Sequence, residues 1–149
     1  MGKSCAFFGH RDFLYGTYEK QVREIVVSLI EKENVTQFYA GGRGAFDWFC
    51  AKIVADIKKE YSQILLTQVL SYIPEKKDEF GYKPPYFDDS VYLLEKQVPP
   101  KFAISETNKI LVKKSDFIVS GVWHNWGGAY SAVEFAKRQG KTVIDVVEQ

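Results

Sequence analysis

The stretch Phe117-Ile118-Val119-Ser120-Gly121-Val122-Trp123-His124-Asn125-Trp126-Gly127-Gly128 is an apolar run that breaks into a glycine-bearing polar loop, and a helical pattern follows from Gly128 to Gln139. The same design occurs twice earlier in the chain. Ser4 to Phe8 leads into Gly9-His10-Arg11, and Thr36 to Ala40 leads into Gly41-Gly42-Arg43-Gly44. Strands that alternate with helices through short links form a parallel sheet, and the loops that follow its strands emerge together on the carboxyl edge, where open α/β sheets bind ligands. Three such loops predict one pocket for a molecule carrying phosphate or ribose.

Outward from these loops the helical periodicity is clear. Val22, Ile25, Val26, Leu29 and Ile30 recur at three- and four-residue steps, which predicts a helix from about Tyr18 to Glu33. Phe46, Phe49, Cys50, Ile53, Val54 and Ile57 mark a second helix. Gln63 to Tyr72 reads as a third strand, Ala103 to Lys114 as a helix with Ile104, Ile110 and Leu111 as its apolar positions, and Thr142 to Val147 as a last strand after Gly140. With right-handed crossovers this is an α/β fold, a Rossmann-like three-layer sandwich with a mainly parallel sheet, in a single domain over residues 1–149. Pro74 to Lys101, with Pro84-Pro85 and Pro99-Pro100, has no such period and reads as a lid or binding loop.

Composition narrows the function. The 20 basic and 19 acidic residues leave a net charge of +1, so no strong field recruits nucleic acid or an anionic membrane, and the expectation is against a nucleic-acid partner. No apolar run is long enough to span a bilayer and the start of the chain lacks a signal-peptide apolar region, which predicts a cytoplasmic protein without a membrane role. Cys5 and Cys50 show no metal-ligand spacing and read as buried structural thiols, so no metal is expected.

The loops carry the candidate site. His10 and Arg11 follow Gly9 at a strand exit, and an arginine fork beside free backbone amides suits phosphate or carboxylate; the alternative is that Arg11 pairs with a carboxylate and His10 packs. Gly41, Gly42, Arg43 and Gly44 let the backbone approach a ligand, while Asp47 in the first helical turn either accepts hydrogen bonds from ribose or stabilises the helix start. The loop lacks the Lys-Ser/Thr pair of a Walker A motif and is not GxGxxG. Trp126, Gly127, Gly128 and Ala129 open the last helix, on which Ser131 and Glu134 lie one turn apart. A carboxylate held beside a ribose can stabilise an oxocarbenium-like sugar, which makes Glu134 the acid/base candidate; otherwise it pairs with Lys137 or Arg138. Trp123, His124 and Trp126 either stack on a base or pack at the rim.

Phe8-Gly9-His10-Arg11, Ala40-Gly41-Gly42 with Gly44 and Asp47, Val98-Pro99-Pro100-Lys101-Phe102-Ala103-Ile104, Asn108, Ser115-Asp116 and Trp126-Gly127-Gly128-Ala129 together resemble the SLOG superfamily of Rossmann-like proteins. That superfamily groups the LOG enzymes with the DprA-like proteins. The resemblance runs along nearly the whole chain. LOG enzymes release a base from a nucleoside monophosphate, and their PGGxGTxxE signature is similar to Gly127-Gly128-Ala129-Tyr130-Ser131-Ala132-Val133-Glu134, with Ser131 for Thr and Tyr130 for a glycine. Their arginine falls near Thr107, where this chain has none, although the following Asn108 is present. The resemblance implies a nucleotide or NAD-related ligand and is compatible with a homodimer. Three readings stand: a module that binds or senses a nucleotide derivative, an N-glycoside hydrolase using Glu134, or a protein-interaction module using the aromatic Tyr72 to Tyr92 segment.

Overall fold

The computed structural model describes residues 2–12, 15–41, 44–72 and 86–147. Six strands form one sheet: β1 (Lys3–Gly9), β2 (Val35–Ala40), β3 (Leu65–Leu70), β4 (Asp89–Tyr92), β5 (Phe117–Gly121) and β6 (Thr142–Asp145). Every described pair is parallel, in the order β4-β3-β2-β1-β5-β6. Four helices cover it: α1 (Glu19–Glu33), α2 (Ala45–Lys58), α3 (Pro100–Lys114) and α4 (Gly128–Arg138).

The side-chain alternation of β1 divides the interior in two. Cys5 and Phe7 face a core built with Val22, Val26, Phe46, Cys50 and Val54 of α1 and α2, whereas Ala6 and Phe8 face a second core with Leu111, Val112, Val133 and Ala136 of α3 and α4. Both faces are thus covered, as parallel strands require, and the expected three-layer sandwich is borne out. Helix α1 buries Val22, Val26, Leu29 and Ile30 along one stripe and stops at Asn34, which takes a left-handed conformation at φ 56°. Helix α3 begins at Pro100, where a missing N–H costs nothing.

From β1 the chain winds outward through β2 and β3 to β4, and α3 then returns it across the sheet to β5 on the other side of β1. The loops after β1 and β5 diverge to opposite faces, which opens a crevice at the carboxyl edge between them. Gly9 and Gly121 lie opposite each other in that ladder. A Cβ on either one would overlap the ring of Phe46. The first turn of α2 is therefore seated on the ends of β1 and β5 through the Phe46 ring.

Two expectations need correction. Strand β4 falls inside the stretch read as irregular. Its four residues Asp-Ser-Val-Tyr lie on the sheet edge and none is fully buried, so no apolar run announced them. Helix α3 buries Ala103, Thr107, Leu111 and Val112, while Ile104 is 37% exposed, so the stripe runs along Ala103-Thr107-Leu111 and not along Ile104-Ile110-Leu111. Of the rest of the stretch read as a lid or binding loop, 73–85 lie outside the described residues. Cys5 and Cys50 are fully buried, and burial pushes both thiols well above their ordinary range, in keeping with inert packing residues. Among the described residues no helix is long and apolar enough to cross a membrane.

Because Phe46 meets the glycines with the base of its ring, Gly9→Ala should lower stability in urea unfolding by about 1–3 kcal/mol, the range for overpacking. Phe46→Ala alone should cost roughly 3–5 kcal/mol. The double variant should lose clearly less than the sum, and strict additivity would show that the glycine is not there for the ring.

Candidate functional site

The crevice holds a cavity of about 410 Å³. The exit of β1 contributes Gly9, His10, Arg11 and Asp12, the loop after β2 contributes Gly41, and the first turn of α2 contributes Asp47. From the opposite face come Ile104, Thr107, Asn108 and Leu111 of α3, His124 and Trp126 of the β5–α4 loop, and Gly127, Gly128 and Ala129 at the start of α4. The floor is apolar, formed in part by Phe7, Phe8 and Val69. Ten of the sequence-designated residues are therefore brought together here: Gly9, His10, Arg11, Gly41, Asp47, Asn108, Trp126, Gly127, Gly128 and Ala129.

Others are placed elsewhere. Gly44 does not border the cavity; its missing Cβ makes room for the Arg11 backbone and Cβ, and the Ala45 N–H donates to the Arg11 carbonyl at 3.4 Å. Ser131 is exposed, and Glu134 pairs with Lys137 at 3.4 Å rather than bordering the cavity. Gly42 and Arg43 lie outside the described residues. Among the described residues no group of three or more His, Cys, Asp or Glu is placed to hold a metal.

Tyr15 holds the exits of β1 and β5 together. Its buried hydroxyl accepts the His10 N–H at 3.0 Å and donates to the Gly121 carbonyl at 2.8 Å, while its ring lies 4.8 Å from that of Phe46. Nothing in the local sequence marks this tyrosine, because its partners are 5 and 106 residues away. Thr107 also escaped the sequence reading. The signal was a hydroxyl residue midway in the stripe Ala103-Thr107-Leu111, where helical spacing turns it inward.

The side chains above the floor form a stack. The His124 ring lies between His10, at 3.4 Å between centroids and 17° between planes, and Trp126, at 3.8 Å and 15°. Trp123 meets both histidines edge-on. Trp126 is 63% exposed, so its outer face is open. Among the described residues the buried side-chain polar atoms without a hydrogen-bond partner are His10 Nε2, Thr107 Oγ1 and His124 Nδ1. All three residues border this one cavity. Each such atom costs roughly 1–3 kcal/mol, and their concentration in one place is the pattern of a binding site rather than of a packed core.

Electrostatics distinguish the two helix starts that point here. At α2 the first turn contains Asp47, which already complements the positive helix end. At α4 there is no side-chain cap and no acidic residue in the first turn, so the amides after Gly127 are the better anion site, with the exposed Arg11 on the facing wall. His10 is held below its ordinary value of 6.5, first by burial and then by its His124 neighbour, with a hydrogen bond to the His124 carbonyl opposing. At neutral pH its ring is uncharged, so the cationic role falls to Arg11.

No protein-family model matches the chain, and no curated protein is similar to it in sequence. Its fold is found in solved structures. DNA processing protein A (DprA) from Streptococcus pneumoniae superposes with a TM-score of 0.69 at 15% identity over 97% of this chain and 50% of its own. DprA from Helicobacter pylori, described in a single-stranded DNA binding mode, superposes at 0.68 and 13% identity over 99% of this chain and 66% of its own. The molybdenum cofactor carrier protein from Chlamydomonas reinhardtii follows at 0.59 and 12%, over 97% and 76%. This chain thus spans about half to two thirds of the DprA chains it matches. These likenesses show the fold alone, which is the Rossmann-like one that the resemblance implied. The expectation against nucleic acid is corrected: a protein of this fold binds single-stranded DNA, so a balanced net charge is no ground for setting that partner aside.

Two outcomes follow for stability. Thr107→Val, which keeps the shape and removes an unpartnered hydroxyl, should leave the melting temperature unchanged or raise stability by about 1 kcal/mol, whereas a loss would reveal a partner for the hydroxyl. Because the folded chain disfavours the His10 proton and the unfolded chain does not, the stability owed to a neutral His10 is present above pH 6.5 and lost as the pH falls through the lower folded-state value. Thermal unfolding scanned from neutral to mildly acidic pH should therefore show a steeper decline for the wild type than for His10→Asn.

Proposed function

We propose that this chain binds a nucleotide-derived small molecule, such as a nucleoside monophosphate, NAD or an ADP-ribose-like compound, at the carboxyl edge of its sheet. The observation that carries this reading is the meeting in one cavity of an uncapped helix start, an arginine and a three-ring stack with an open tryptophan face. The amides of α4 and Arg11 suit the phosphate, and Trp126 suits the base. Asp47 and Thr107 supply polar groups for the sugar between them. The volume of about 410 Å³ lies within the range of roughly 300–1,000 Å³ usual for small-molecule sites.

Binding without turnover is favoured because Glu134 is engaged by Lys137 and stands off the cavity wall. The likeness in fold to a cofactor carrier and to a single-stranded DNA binder supports a ligand-binding role without choosing the ligand. A base of single-stranded DNA offers the same ring to Trp126, so a short oligonucleotide belongs in the same experiment.

The test is a thermal-shift screen of mononucleotides, NAD, ADP-ribose and a short deoxyoligonucleotide, with each positive mixture checked by chromatography for released base. The expected result is stabilisation by a mononucleotide or dinucleotide that stays whole. Arg11→Ala should weaken binding by about 1.5–3 kcal/mol, as for a hydrogen bond to a charged group, and Trp126→Ala by about 1–3 kcal/mol. Glu134→Gln should change neither affinity nor the integrity of the ligand. Released base that disappears in Glu134→Gln would establish a hydrolase instead, and stabilisation by the oligonucleotide alone would move the function to DNA.

A further inference from the structure

We propose that His124 is an internal placeholder for the ligand's heterocyclic base, occupying the slot between His10 and Trp126 until the base displaces it. The inference rests on the nucleotide-binding reading above and adds to it a residue that sets affinity and selects for planar heterocycles. His10 and Trp126 stand 6.5 Å apart between centroids, and the imidazole of His124 fills the gap with near-parallel contacts on both sides. The slot therefore has the thickness of one aromatic ring.

The occupant is poorly satisfied where it sits. His124 Nδ1 and, beneath it, His10 Nε2 are closed off from solvent and have no hydrogen-bond partner among the described residues. A core imidazole retained for packing would have its nitrogens paired. A purine or pyrimidine entering the slot keeps the stacking surfaces, returns the His124 nitrogen to water and brings its own ring polar atoms to His10 Nε2. His124 lies on the loop between β5 and α4, and that loop ends at Gly127 with φ +97°, a conformation other residues adopt with strain. The α4 amides suited to a phosphate begin two residues beyond Trp126, within roughly 8 Å along the chain, so a base in the slot and a phosphate at the helix start belong to one nucleotide.

The experiment measures binding of the common ribonucleoside monophosphates and of ribose 5-phosphate, the base-free control, to wild type, His124→Ala and His124→Phe by calorimetry, with tryptophan fluorescence as a second readout. Removing the placeholder spares the base the cost of breaking the two ring contacts of His124 and should tighten the best mononucleotide by about tenfold, the size expected for such contacts, and leave ribose 5-phosphate unchanged. A phenyl ring fills the slot with no polar atom to release, so His124→Phe should bind mononucleotides more weakly than wild type, again with ribose 5-phosphate unchanged. If His124→Ala does not fold, the His124→Phe comparison decides alone. Equal mononucleotide affinity in wild type and variants, or parallel changes for ribose 5-phosphate, would overturn the placeholder while the nucleotide-binding reading stands. Failure of every mononucleotide to bind wild type or variants would overturn both.

Discussion

The ring of Phe46 sits where Gly9 and Gly121 face each other across the β1–β5 ladder, and the carboxyl edge is arranged around that seat. With no side chains on the two strand ends, α2 approaches the sheet closely, and its first turn brings Asp47 to the cavity wall. Tyr15 packs on the same ring and joins the two exits with one hydroxyl. The backbone at His10 is therefore fixed by buried hydrogen bonds rather than by loop conformation. A site built this way is preorganised, because the atoms that would meet a ligand are positioned by the core beneath them.

Gly9 thus has a different reason from the one its position suggests. A glycine at a strand exit reads as space for a ligand, yet this one borders the cavity and is required by Phe46 behind it. Gly44 is similar: it accommodates Arg11 and so couples the first loop to the second. At the cavity-lining Gly127 and Gly128, by contrast, no neighbouring side chain demands the absence of a Cβ and the α4 amides stay open. Two helix starts of similar sequence appearance consequently differ in chemistry. Asp47 already answers the positive end of α2, whereas α4 has no internal anion in its first turn.

Burial also opposes a charge that the sequence suggested at one position. His10 next to Arg11 suggests a cationic pair for phosphate. Covered by His124 and Trp123, its ring disfavours the charged form, which leaves it a neutral stacking base and hydrogen-bond acceptor. The division of labour at the cavity follows: charge from Arg11 and the helix end, flat surface from the histidine and tryptophan rings.

Much of the architecture was legible in the sequence, since the continuous apolar runs of β1, β2, β3 and β5 follow from burial on both faces and the stripes of α1 and α2 from the period of 3.6 residues. The grouping of His10, Arg11, Gly41, Asp47 and Gly127-Gly128 on one edge was legible too, because parallel strands send their following loops the same way. Strand β4 was not, since an edge strand buries too little to need an apolar run. Nor were the contacts of Tyr15, Phe46 and Thr107 or the stacking of His124 between His10 and Trp126, whereas the pairing of Glu134 with Lys137 stood in the sequence as one of two readings. The sequence by itself determined the layers and the edge at which they open, because periodicity and chain direction are local properties. Only the tertiary structure decided which polar atoms are left without partners there, because burial and pairing are set by residues distant along the chain that the crossover from β4 to β5 brings face to face.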